Sequence, residues 1–124
     1  MALTVYGITN CDTVKKARAW LEARGADYRF HDFRKDGLAP GLLDQWLASV
    51  SWEHLLNRRG TTWRKLSPDE QQVSDATGAK SVMMSHPAVI KRPVIDLDGM
   101  ILVGFSKHEV DALAEAIDGN PGKA

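Results

Sequence analysis

Hydrophobic periodicity changes twice along this 124-residue chain, and those changes limit the folds open to it more than any other feature. Leu3 to Tyr6 alternate weakly and are β-prone, and Gly7 to Asn10 reads as a loop. Val14, Ala17 and Leu21 then recur at i, i+3 and i+7, which predicts a helix from about Asp12 to Arg24 with Gly25 just past its end. Tyr28, Phe30 and Asp32 alternate with Arg29 and His31 as a second short strand. The opening therefore reads β-α-β, and a right-handed crossover makes its two strands parallel neighbours.

From about residue 38 to 88 the pattern is helical. Pro40 suits a first turn, and Leu43, Trp46, Leu47 and Val50 follow on one face. Ser51 to Leu56 reads as a short helical piece and Arg58-Arg59-Gly60 as a basic turn. Ser67-Pro68-Asp69-Glu70 has the form of a capping box, predicting a helix to about Thr77 that Gly78 stops. A further short helix is expected from about Lys80 to Ser85, ending before Pro87. The period changes again at Val94 to Leu97 and Met100 to Val103, two β-rich runs joined by Asp98-Gly99, a type I′ hairpin signal. Ser106 to Glu109 is another capping box, and Val110, Leu113, Ala114 and Ile117 continue it as an amphipathic helix. Residues 119–124 carry no core-forming side chain and read as a flexible tail. The order predicts a single α/β domain with a thioredoxin-like mixed sheet, β-α-β then β-hairpin-α, and a helical insertion between the halves. Trp20, Trp46, Trp52 and Trp63 are all candidates for its core.

Composition excludes several function classes. Hydrophobic residues make up 44% and charged residues 26%, ordinary for a soluble globular chain. Sixteen basic residues balance sixteen acidic ones, so bulk charge makes no case for direct nucleic-acid or membrane binding. No apolar run approaches the roughly 20 residues of a membrane span. No basic stretch followed by an apolar one opens the sequence, so a cytoplasmic location is expected. His31, His54, His86 and His108 are scattered and never at i, i+4 spacing, and no metal site is expected.

Cys11 is the only cysteine, so no internal disulfide and no Cys-rich zinc site can form. It falls after a strand and at the start of a helix, where unpaired N–H groups and the helix dipole present positive potential. That environment suits a nucleophilic sulfur, with Asp12 opposing it and Lys15 and Lys16 a turn later supporting it. With Val14 where a dithiol enzyme would carry its second cysteine, a mixed disulfide on Cys11 needs an external thiol to resolve it, and reduced glutathione is the obvious co-substrate. No bound cofactor is expected.

Asn10-Cys11-Asp12-Thr13-Val14-Lys15-Lys16-Ala17, followed by Lys91-Arg92-Pro93-Val94 before a hairpin, resembles the ArsC/Spx family, thioredoxin-fold proteins related to glutaredoxin-coupled arsenate reductases. Together with Arg59-Gly60-Thr61-Thr62-Trp63-Arg64-Lys65-Leu66, the run is most similar to the YffB branch, over about residues 3–118. The resemblance implies Cys11 as nucleophile, Arg92 beside it, and a cis Arg92–Pro93 bond facing the active-site loop. Asn10, Thr13, Lys15, Arg58, Arg59 and Pro93 are the accompanying substrate- or glutathione-binding candidates. Arsenate reductases of the family use three arginines. Only Arg92 falls in register here; Asn57 stands at the second position, with Arg58 and Arg59 shifted, and Gly104 at the third. A thiol or mixed-disulfide substrate is therefore the better expectation. The function expected is a monothiol, glutathione-dependent thiol–disulfide reductase, with glutathione and glutaredoxin as partners. The alternatives are an arsenate reductase and a Spx-like redox-sensing regulator that binds RNA polymerase.

Overall fold

The computed structural model describes residues 2–118, so the expected flexible tail lies outside the described residues. The chain divides into two compact units, one formed by the residues up to His31 together with those from Arg92 onward, the other by Asp32–Lys91.

The first unit is built on a four-stranded sheet. β1 (Leu3–Gly7) leads into α1 (Asp12–Ala23), which returns the chain to β2 (Arg29–Asp32). β3 (Val94–Leu97) and β4 (Met100–Val103) form a hairpin, and α6 (Lys107–Ile117) follows. The strand order is β2-β1-β3-β4, and β3 runs antiparallel to both β1 and β4. The hairpin turn has positive φ at both central residues, Asp98 at 50° and Gly99 at 91°, as a type I′ turn requires. Alternation in β1 turns Leu3 and Val5 to one face, where they meet Ile95 and Leu97 of β3 and Leu102 of β4. Leu21 of α1 and Leu113 of α6 complete that cluster, so both helices cover the same face. Val14, Ala17 and Leu21 are fully buried, as their spacing predicts. In α6 the buried positions are Glu109 and Leu113, and Ile117 packs at the margin of the core.

The second unit contains α2 (Pro40–Ser49), α3 (Trp52–Leu55), α4 (Thr61–Arg64), α5 (Ala76–Ser85) and a 3₁₀ turn at Pro87–Val89. Phe33, Leu43, Trp46, Leu55, Leu56, Ala79, Met83, Val89 and Ile90 are its buried apolar residues. Trp46 is the fully buried tryptophan; Trp20 is half-buried and packs against the first unit's core cluster, and Trp52 and Trp63 are half-buried. A single antiparallel bridge, Leu56 to Ile90, ties the residue after α3 to the end of the unit. The Asn57 N–H donates to the Val89 carbonyl at 2.7 Å and the Lys91 N–H to the Leu55 carbonyl at 2.8 Å on either side of it.

One predicted helix does not form. The capping-box bonds at Ser67 are all present: its N–H and hydroxyl donate to Glu70 Oε1 at 3.2 and 3.1 Å, and the Glu70 N–H donates back to Ser67 Oγ at 3.2 Å. The chain nevertheless makes only a turn over Pro68–Gln71. Between Asp69 and Asp75 the sole apolar residue is Val73, so a helix there would have no face to bury. The helix starts at Ala76 instead, with Asp75 Oδ1 accepting from the Gly78 N–H at 2.8 Å. Gly78 therefore lies in the first turn of α5 rather than stopping a helix, and α5 runs unbroken to Ser85. Asx capping by Asp75 outweighs the low helix propensity of that glycine.

Candidate active site

Cys11 is the N-cap residue of α1, with extended backbone at φ −139° and ψ 123°. Its carbonyl accepts the first intrahelical bond, from the Lys15 N–H at 2.9 Å, while its side chain makes no capping bond. The half-buried thiol thus stands at the first turn of a twelve-residue helix whose leading N–H groups it does not cap. Asn10, Thr13 and Lys15 around it are exposed. The placement of this turn depends on Gly7. A Cβ there would lie 2.7 Å from Val14 Cγ2, so β1 and the first turn of α1 come together more closely than any other residue would allow.

The sheet register brings Arg92–Pro93 to the same end. Tyr6 pairs with Val94, so β1 ends where β3 begins, and residues 8–11 leave the sheet where Arg92 and Pro93 enter it. The Arg92–Pro93 bond is cis, Arg92 is half-buried and Pro93 is buried. Val94 pairs with Val103, and the Gly104 N–H donates to the Pro93 carbonyl at 2.8 Å, which continues the ladder one step past the strands. Pro93 has no N–H to donate, and its carbonyl serves the sheet. β4 also ends there, which starts α6 at the Cys11 end of the sheet. Ser106 and Glu109 cap that helix reciprocally. Burial works to raise the Glu109 carboxyl, but bonds from the Ser106 hydroxyl and N–H outweigh it and hold the group below the usual carboxylate range.

Arg58 and Arg59 belong to the second unit. They sit in the turn after Asn57, whose Oδ1 accepts from the Arg59 N–H at 3.0 Å. The Arg58 guanidinium lies over the Trp52 ring, 5.0 Å from its centroid. Both line a cavity with Glu53, His54, Leu56, Asn57 and Lys91. Lys91 gives no signal in the sequence beyond standing before Arg92, because a bridge between distant segments brings it to this wall. Among the described residues no group of three or more His, Cys, Asp or Glu side chains is placed to hold a metal, and no helix is long and apolar enough to cross a membrane.

Residues 6–113 match the model of the ArsC family. A solved structure of an arsenate reductase (ArsC) related protein from Brucella melitensis is 51% identical, with 90% of this chain and 93% of that one covered and a TM-score of 0.73. The structure of a YffB protein is 41% identical, with 90% and 97% covered and a TM-score of 0.84. An uncharacterized protein of Haemophilus influenzae is 46% identical over 89% of this chain and 96% of its own. A global transcriptional regulator Spx of Streptococcus pyogenes is 24% identical over 89% and 83%. The matched residues 6–113 span the β1–α1 loop, Arg92–Pro93 and the hairpin, and the chain, with its thioredoxin-like sheet, belongs to the ArsC family.

Proposed function

We propose that the chain is a monothiol, glutathione-dependent thiol–disulfide reductase with Cys11 as its nucleophile. The observation that carries this reading is the placement of its only cysteine at the N-cap of α1, at the sheet end that also holds the cis Arg92–Pro93 bond. Cys11 Sγ attacks the glutathionyl sulfur of a mixed disulfide. A Cys11–glutathione bond forms, and the substrate thiolate leaves and takes a proton from water. A second glutathione, giving its thiol proton to solvent, attacks the glutathionyl sulfur, so oxidised glutathione leaves and the Cys11 thiolate returns. The substrate disulfide gains two electrons, and two glutathionyl groups end as one disulfide. In this scheme the Arg92 fork holds the anionic co-substrate, Asn10, Thr13 and Lys15 contact it around the first turn, and Pro93 walls the site.

The test is mass spectrometry of the protein mixed with oxidised glutathione and then with reduced glutathione. A single adduct on Cys11 that reduced glutathione removes, absent in Cys11→Ser, is expected. An unmodified Cys11 would overturn the reading. The Spx likeness carries a second reading, in which Cys11 reports redox state to a partner such as RNA polymerase. An adduct that forms but does not turn over with glutathionylated substrates would favour it. Release of arsenite from arsenate with glutathione and glutaredoxin would instead identify an arsenate reductase.

A further inference from the structure

The second unit holds a cavity whose lining has a specific chemistry. It measures about 580 Å³, within the roughly 300–1,000 Å³ of small-molecule sites and far larger than one inorganic oxyanion. Three cations line it, Arg58, Arg59 and Lys91, with Glu53 as the single carboxylate. Elsewhere Arg24 pairs with Asp118, Lys80 with Asp44 and Lys107 with Asp111, but among the described residues no acidic side chain forms an ion pair with Arg58, Arg59 or Lys91. The three are also held in place. The Leu56–Ile90 bridge and its two flanking bonds set Lys91 opposite the turn, Asn57 fixes the Arg59 backbone, and Trp52 supports the Arg58 fork.

We propose that this cavity binds a small acidic zwitterion of amino-acid or short-peptide type, one with more carboxylates than ammonium groups. Arg58, Arg59 and Lys91 take its carboxylates, since arginine forks match carboxylates bidentately and lysine adds a point charge. Glu53 takes the ammonium group, which a plain polyanion lacks. The proposal does not depend on the chemistry of Cys11. Glutathione belongs to this ligand class, with two carboxylates and one ammonium, so the cavity is a place where the thiol co-substrate can be recognised apart from its sulfur.

S-methylglutathione is the probe, because its thioether cannot exchange with Cys11. Titrated into the full chain and followed by amide chemical shifts, it should saturate and move residues 53–59 and 89–91. Arg59→Ala and Lys91→Ala should each weaken it several-fold. Glu53→Gln should weaken S-methylglutathione and glutamate but leave glutarate, which has no ammonium, unchanged or tighter. These side chains are exposed, and retained spectra elsewhere report that each variant is folded. Equal response to sulfate at matched ionic strength would overturn the site and leave only a counter-ion surface. Binding of poly-glutamate with no response to the small zwitterion would overturn it in favour of an acidic protein partner. A Cys11 adduct that forms and resolves normally while S-methylglutathione fails to bind would remove this inference and leave the reductase reading standing.

Discussion

Arg92 and Glu109 are charged residues that burial makes selective rather than merely soluble. Arg92 is half-buried, and its planar guanidinium fork is not chemically equivalent to a lysine point charge. Arg92→Lys keeps the charge and loses the fork; it should slow resolution of a Cys11–glutathione disulfide several-fold while leaving the unfolding midpoint nearly unchanged. Equal rates in the two proteins would leave Arg92 no ligand role. Glu109 is a stability group, 6% exposed and bonded to Ser106. Its carboxyl is held below its ordinary value in the fold, so the unfolded chain takes up the proton first as pH falls. The stability it contributes is full above the unfolded-state value and is lost as pH drops through the lower folded-state one. Glu109→Gln should therefore cost about 1 kcal/mol at pH 7, as lost caps do, and the gap from the parent should close in urea unfolding below about pH 4.

At the scale of elements, two helix starts show local and long-range forces in competition. Ser67 forms every bond of a capping box and no helix follows, because the next residues offer no apolar face. Asp75 starts α5 because Ala79 and Met83 behind it are fully buried. Asp75→Ala should cost about 1 kcal/mol, whereas Ser67→Ala should cost much less, since it releases only a turn. Equal costs would mean that the turn is an essential part of the unit. α1 illustrates the opposite case, a helix legible in sequence whose placement was not. Its buried triad follows from spacing, but the contact that seats it, Gly7 against Val14, joins residues with no shared pattern. Gly7→Ala should destabilise by about 1–3 kcal/mol through overpacking, and Val14→Ala added to it should recover part of that loss. Denaturant midpoints of the two single variants and the double variant measure this directly, and additive losses would remove the contact from the account.

Across the whole molecule, protection should follow burial within each unit. Val5 and Ile95 face each other on the two central strands and are fully buried. Their amides should be among the slowest to exchange with deuterium, and those of Asp69 and Ser74, exposed and outside helices and strands, among the fastest. Rapid exchange at Val5 would contradict the sheet order. What the sequence determined by itself were features with a local cause. The i, i+3, i+7 triad of α1, the Asp98-Gly99 turn and the Ser106–Glu109 cap each depend on residues within one or two turns of one another. Cys11 was legible in the same way, as a lone thiol between a strand-like run and a helical one. Tertiary structure alone decided the rest, because it rests on pairs far apart in the chain. The β1–β3 register sets residues 8–11 and Arg92–Pro93 at one end of the sheet, and within the second unit the Leu56–Ile90 bridge carries Lys91 to the wall of Arg58 and Arg59. The unbuilt helix after Ser67 has the same cause: whether a face can be buried depends on what lies across from it, and a capping motif does not encode that.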